Sequence, residues 1–320
     1  MTAPKVISIS HAIDPDGIGS QAILFRYFRE LNIEPIGYLV DYYNFTEYVL
    51  KAINEKPNIL IVSDIGLNTS YLDQIISPLR RLEARKIWID HHRITDEHKQ
   101  LLESILDEFI HDTTVCAAEL VQERFRPEDD VAKKIARIAH NGDFDVEDKL
   151  ADIYYTIIDY YRSDMDKLIS IREKFASGNF EQKYVMDEYL EAYKVFEAEK
   201  DRIRKSYKII RLGNISIAVA ESAILPRGKV AKFLDEICVE DIYLSIDTTN
   251  FRIGLRSNTY DVGLIAAKLG GGGHTHRSGF TYKNALNYKK QLTSSFKNDL
   301  TAAIRSVVAK SKPAPQSKKE

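Results

Sequence analysis

At 320 residues, with 44% hydrophobic and 29% charged, the chain can bury a sizeable core and has room for two domains. Its 45 basic and 47 acidic residues leave a formal net charge of -2, which excludes a protein that coats long nucleic acid by overall charge. Cys116 and Cys238 lie far apart without metal spacing, no apolar run nears the roughly 20 residues of a membrane span, and no signal-peptide pattern precedes Lys5, so a reduced, cytoplasmic protein is expected.

In chain order, Lys5 to Ser10 reads as a first strand, followed by the loop His11-Ala-Ile-Asp14-Pro-Asp16-Gly17. Apolar residues at Ile18, Ala22, Phe25 and Phe28 give Ile18 to Leu31 a helical rhythm. Ile36 to Val40 reads as a strand and Phe45 to Asn54 as a helix. Asn58 to Ser63 is a strand ending on Asp64, with Gly66 and Asn68 turning the chain. A helix over Tyr71 to Leu82 leads to the strand Arg85 to Ile89, which ends in Asp90-His91-His92. Thr113-Thr114 reads as a helix start capped by Thr113 or Asp112, and Asp130 to Ala139 as a helix, with Gly142 as its C-cap before Asp143.

From Leu150 to about Ile210 the pattern is helical and tyrosine-rich, broken at Ser177-Gly178-Asn179. Its tyrosines (Tyr154, Tyr155, Tyr160, Tyr161, Tyr184, Tyr189, Tyr193) suit a base-stacking platform less well than an amphipathic connector that buries one aromatic face. Ile215 to Ala220 reopens β structure. Gly228 to Cys238 follows as a helix, Ile242 to Asp247 and Phe251 to Ser257 as paired strands, and Asp261 to Leu269 as a helix. The run Gly270 to Gly273 ends on His274, Phe280 and Tyr282 flank a last strand, and Tyr288 to Ala309 reads as the final helix. The tail Lys310 to Glu320 has the composition of a disordered basic segment.

Alternating strands and helices predict an α/β fold. A doubly wound, mostly parallel sheet occupies residues 1–150, a helical connector 151–210, and a smaller α/β domain 211–309, the two domains forming an active-site cleft. Parallel strands bring their carboxyl ends to one edge. His11, Asp14, Asp16, Asp64, Asp90, His91 and His92 therefore share a crevice, and Asp143 can turn in to join them. Imidazole and carboxylate donors suit Mn, Fe or Zn. Asp64, central in the set, is a natural bridge between two metals that together activate water. His92 suits the phosphoryl or leaving oxygen, and Asp90 suits orienting an imidazole. The glycine run with His274 lets backbone approach a phosphate, and Arg256 can grip one or form an ordinary surface ion pair.

These residues resemble the DHH phosphoesterase family. The resemblance rests on His11-Ala-Ile-Asp14-Pro-Asp16-Gly17-Ile18-Gly19-Ser20, Asp64 after a strand, Asp90-His91-His92, Asp143 after Gly142, and Gly271-Gly272-Gly273-His274 with Ser278-Gly279. It spans residues 5 to 305, and its last motif looks like the C-terminal domain of the oligonucleotide-degrading members, the nanoRNase and RecJ-type enzymes. It implies two manganese ions (Mg or Co as substitutes), one held by His11, Asp14 and Asp64, the other by Asp16, Asp64, His91 and Asp143, with His92 at the scissile phosphate. It assigns substrate binding to Arg256, Ser257, Gly271, Gly272, Gly273 and His274; His276 and Arg277, beside that motif, are expected either to extend the phosphate grip or to alter which nucleotide end is read. Two departures stand out. Two residues separate His11 from Asp14 where one or three is more usual, and Arg277 replaces a common alanine.

The expected function is a Mn-dependent phosphodiesterase or exonuclease acting on short single-stranded RNA or DNA. Cyclic dinucleotides and 3′-phosphoadenosine 5′-phosphate are the competing substrates. A catalytically silent nucleotide-binding or replication-complex scaffold is the alternative of a different class. No membrane partner is expected, while a homodimer and replication or repair partners fit the family.

Overall fold

A computed structural model describes residues 3–67, 71–144, 146–180, 182–287 and 289–308. Asn68, the Tyr184 side chain and the tail from Lys310 lie outside that description, as do both ends of the expected final helix, Tyr288 and Ala309. The chain divides into two compact units, Met1–Ala192 and Tyr193–Glu320.

The first unit opens with β1 (Val6–His11), α1 (Pro15–Glu30), β2 (Ile36–Val40), α2 (Phe45–Asn54), β3 (Ile59–Ser63), α3 (Leu72–Arg81), β4 (Arg85–Asp90), α4 (Asp96–Glu103) and β5 (Glu108–His111). The strands pair in parallel in the order β2-β1-β3-β4-β5. Burial on both faces explains their near-continuous apolar sequence. Alternate residues serve separate cores: Ile61, Ile87 and Ile89 face the helices beginning with α1, whereas Ile7, Ile9, Val62 and Trp88 face α2 and α3. α1 begins where Asp14, in extended backbone, accepts a hydrogen bond from the Gly17 amide at 2.9 Å, with Pro15 in the first turn.

α5 (Ala117–Phe125), α6 (Asp130–Asp143), α7 (Lys149–Tyr160), α8 (Met165–Ser177) and α9 (Gln182–Ser206) follow. α5 starts three residues beyond Thr114, because Asp112 Oδ1 accepts from both the amide (2.8 Å) and the hydroxyl (2.7 Å) of Thr114 and ties that stretch into a turn. Gly142 lies inside α6, which is capped at Phe144. Sequence periodicity also misses α4 and the short edge strand β5, whose Phe-Ile pair is flanked by Glu108 and His111. α7 and α8 do not stand apart as a connector. Tyr154, Ile157, Leu168 and Phe175 join the core around α1, so the first unit runs well past residue 150. Tyr154 is buried there, with Tyr161 and Tyr189 packed against that core, while Tyr193 is 46% exposed.

The second unit contains β6 (Lys208–Leu212), β7 (Ile215–Ser222), α10 (Arg227–Ile237), β8 (Ile242–Asp247), β9 (Arg252–Arg256), α11 (Val262–Lys268), β10 (Gly272–Gly273), β11 (Arg277–Thr281) and α12 (Ser294–Val308). Its sheet runs β10-β11-β9-β8-β7-β6, parallel only between β7 and β8. β structure thus resumes at Lys208, in a hairpin turned through Gly213 at φ 66°. The last helix starts at Ser294. Ahead of it Leu286 bridges to Leu292, and Asn287 Oδ1 accepts from the Lys289 and Gln291 amides, which closes a turn where the sequence suggested helix.

A candidate metal centre at the sheet switch point

β1 is flanked by β2 and β3, so the connections leaving β1 and β3 diverge and open a crevice beyond their carboxyl ends. The residues expected there do meet. His11 Nδ1 lies 2.5 Å from Asp14 Oδ2 and 3.6 Å from Asp64 Oδ2. His91 Nε2 lies among three carboxylates, 3.3 Å from Asp64 Oδ1, 3.4 Å from Asp143 Oδ2 and 3.5 Å from Asp16 Oδ2. Asp90, at the end of β4, holds His92 Nδ1 at 2.8 Å.

The local fold fixes each group. Asp16 is fully buried in the first turn of α1, and both its oxygens accept amides from the start of α5, Ala117 at 2.9 Å and Ala118 at 2.6 Å. Asp64 leaves β3 with φ 55°, a left-handed conformation costing on the order of 1 kcal/mol for a non-glycine residue. Its own amide donates to Ile89 O at 3.0 Å, and Trp88 Nε1 donates to Ile65 O at 3.1 Å, so β4 pins the strained turn.

Electrostatics set these acids apart. Burial, with the nearby Asp14 charge, pushes the Asp64 carboxyl up to about 8. Burial raises Asp16 and Asp143 as well, Asp16 with the added repulsion of Asp64 and Asp143. Against the cost of burial, Asp14 and then Asp64 hold His11 well above its ordinary value, and His11 in turn keeps Asp14 low. Asp90 holds His92 up at about 9 although burial opposes it. Among the described residues no lysine or arginine pairs with Asp14, Asp16, Asp64, Asp90 or Asp143.

The donor set fits divalent cations. His11 Nε2 and Asp64 Oδ2 are buried without a hydrogen-bond partner. The groups His11/Asp14/Asp64, Asp16/His91/Asp143 and Asp64/His91/His92 each converge their donor atoms within 4.8 Å. Asp64 belongs to two of the three, and the nitrogen and oxygen donors suit Mn, Fe or Zn.

Two residues escaped the sequence reading. The Tyr42 hydroxyl lies 2.8 Å from His92 Nε2, so both ring nitrogens of His92 are engaged. Tyr155 donates to Asp143 Oδ1 at 2.8 Å, leaving Oδ2 toward His91. The Tyr155 ring crosses Gly142 so closely that a Cβ there would lie 1.6 Å from it, which explains the glycine. Tyr42 had no sequence signal beyond following a strand. Tyr155 was hidden among helical tyrosines.

The expected substrate-binding residues lie in the second unit. Gly271, Gly272, Gly273, His274, His276 and Arg277 form an exposed hairpin closed by the His274 amide on Arg277 O at 2.7 Å. Gly273 needs its φ of 140°, and a Cβ on Gly271 would meet Gly279 O at 2.1 Å. His276 Nδ1 is 3.0 Å from Ser257 O. Arg256 Nε donates to Asp235 Oδ2 at 2.8 Å, an ion pair within the second unit. Ser257 corrects the expectation: its side chain is fully buried, donates to Asp241 O at 2.6 Å and accepts from the Thr259 and Tyr260 amides, so it shapes the loop instead of facing a ligand.

No described helix is long and apolar enough to cross a membrane. The model of the DHH family, N-terminal domain, matches residues 5–158. An uncharacterized protein of Acanthamoeba polyphaga mimivirus is 23% identical over 306 residues, covering 89% of this chain and 70% of that protein. The fold is similar to that of exonuclease RecJ bound to manganese, at TM-score 0.59 and 15% identity over 97% of this chain and 91% of that one. It is also similar to an exopolyphosphatase-related protein from Bacteroides fragilis, at TM-score 0.54 and 16% identity over 96% and 92%. Residues 5–158, just under half of the chain, thus form a domain of the DHH family, N-terminal type.

Proposed function

We propose that the protein is a Mn-dependent phosphodiesterase that hydrolyses short single-stranded RNA or DNA to mononucleotides. The observation that carries this reading is the packing of Asp16, Asp64 and Asp143 around His91 Nε2, with Asp64 also facing His11 and, among the described residues, no lysine or arginine paired with them. His11, Asp14 and Asp64 would hold one cation and Asp16, Asp64, His91 and Asp143 the second. Bound cations would supply Lewis acidity toward a phosphoryl oxygen and make water acidic enough to attack near neutral pH.

The chain's own residues do the rest. Asp16 and Asp143 are fixed by the α5 amides and by Tyr155, so their oxygens are aimed before substrate arrives. Asp90 and Tyr42 hold the His92 ring at the crevice mouth, where its proton suits the oxygen leaving phosphorus. The exposed hairpin of Gly271 to Gly273 with His274, His276 and Arg277 is the proposed phosphate-binding element of the second unit, and the near-neutral net charge favours a short substrate. Mg or Co would substitute for Mn.

A product time course tests this on 5′- and 3′-labelled RNA and DNA of varied length in Mn²⁺, with cyclic dinucleotides and 3′-phosphoadenosine 5′-phosphate alongside. Short oligomers are expected to be cut fastest; preference for either other compound would reassign the substrate. If Asp64→Ala and His91→Ala leave hydrolysis of a five-mer unchanged, the site is wrong and a silent scaffold becomes the better reading.

A further inference from the structure

The second unit carries a concave surface that the catalytic reading does not use. A cavity of about 640 Å³ opens over β6, β7 and β8, at the opposite end of the sheet from the glycine hairpin on β10 and β11. Its floor is apolar, formed by Ile210, Val219, Ile246, Leu286 and Leu292. Four exposed lysines ring it: Lys208 on β6, Lys297 on α12, and Lys289 and Lys290 from the turn before α12. Glu221 is its one acidic lining residue among those described, and Lys290 Nζ already lies 2.6 Å from it.

A second cavity of about 250 Å³ continues the first and shares Glu221, Ile246, Leu286 and Lys290 with it. Phe251, Tyr282 and Lys283 line this extension. Phe251 is 48% exposed at φ 59°, so a large ring stands out from the sheet on backbone that a phenylalanine rarely adopts. In a chain of net charge -2, five lysines against one glutamate around a continuous groove form a local basic path. Lysines spaced along an apolar trough, with an exposed ring at one end, suit a flexible chain of phosphates whose bases can stack.

We propose that this groove binds the backbone of single-stranded nucleic acid, with a base stacked on Phe251. The proposal does not rest on the catalytic reading, since it concerns binding in the second unit alone. It adds a hold on strands longer than the short oligomers proposed as substrate.

The test is fluorescence-anisotropy titration of the full chain with labelled oligothymidylates of two to twelve nucleotides. EDTA is present, so that metal at the crevice cannot capture phosphate. Affinity is expected to rise with length and then level off. Its logarithm should fall with log salt at a slope near -3, about 0.7 for each of four phosphate contacts. Lys208→Glu with Lys297→Glu should weaken twelve-mer binding at least tenfold and flatten that slope, with melting temperature and dinucleotide hydrolysis unchanged. Phe251→Ala should cost about tenfold in affinity with the slope kept. Equal twelve-mer affinity or slope in the lysine variant, or no gain from two to twelve nucleotides in the native chain, overturns the proposal. Binding in EDTA with no hydrolysis of any oligomer once Mn²⁺ is supplied in excess would sink the catalytic reading and leave this one standing.

Discussion

Two sets of buried carboxylates in the first unit face opposite electrostatic circumstances. Asp129, at the start of α6, accepts from Arg26 at 2.7 Å and Arg126 at 2.6 Å and also caps the helix through the Val131 and Ala132 amides. Although burial works against it, those partners hold its carboxyl at about 2. Asp16, Asp64 and Asp143 are buried with one another, and burial drives all three upward. An acid of the first kind is a structural tie that is complete within the chain. Acids of the second kind oppose folding unless a cation joins them, which is why they mark a candidate site while Asp129 does not.

The sharpest way to break this contrast is to neutralise one acid of each kind. On the proposed function, Asp64→Asn should lower oligonucleotide hydrolysis about a thousandfold, the several kcal/mol that cation charge contributes at a phosphoryl centre. Next in size is cation binding itself. Mn²⁺ at 100 times its Kd should stabilise the native chain by about 2.7 kcal/mol in thermal melts. Asp64→Asn should lose most of that gain, and in EDTA it should melt no lower than the native chain. Full Mn²⁺ stabilisation in Asp64→Asn would erase the distinction.

Asp129→Asn should move stability the other way. Loss of about 2 kcal/mol is expected at pH 7, read by denaturant unfolding, because the amide keeps the cap but leaves two guanidinium groups short of a charge. The sign follows from the depressed carboxyl: its contribution is present above the unfolded value of 3.8 and fades as pH falls toward about 2. The variant's deficit should therefore shrink below pH 4, and a deficit constant with pH would mean the pair is not electrostatic. Smallest is Tyr155→Phe. It removes one hydroxyl bond to Asp143 and should weaken Mn²⁺ binding about tenfold by calorimetry, without lowering stability in EDTA.

The sheet and the crevice were legible because one constraint writes both. A strand buried on two faces must be apolar, so the polar residue that ends it stands out, as Asp64 does after Ile-Val-Ser and Asp90 after Ile-Trp-Ile. What stayed hidden depended on contacts across the fold. β5 is too short and too mixed to show a period. Tyr155 follows the helical rhythm of α7, and only the bare surface of Gly142 lets its ring reach Asp143. Ser257 sits beside Arg256 in a plausible motif, but its hydroxyl is consumed by three backbone partners that the local sequence does not advertise.

The first turn of α1 is pressed against the strand it follows: a methyl on Gly17 would lie 2.3 Å from the His11 carbonyl oxygen. Strand tip, loop and helix start therefore form one stiff cassette with no slack in its length. Lengthening the loop by one residue, or widening it with alanine at position 17, would swing His11, Asp14 and Asp16 out of alignment together.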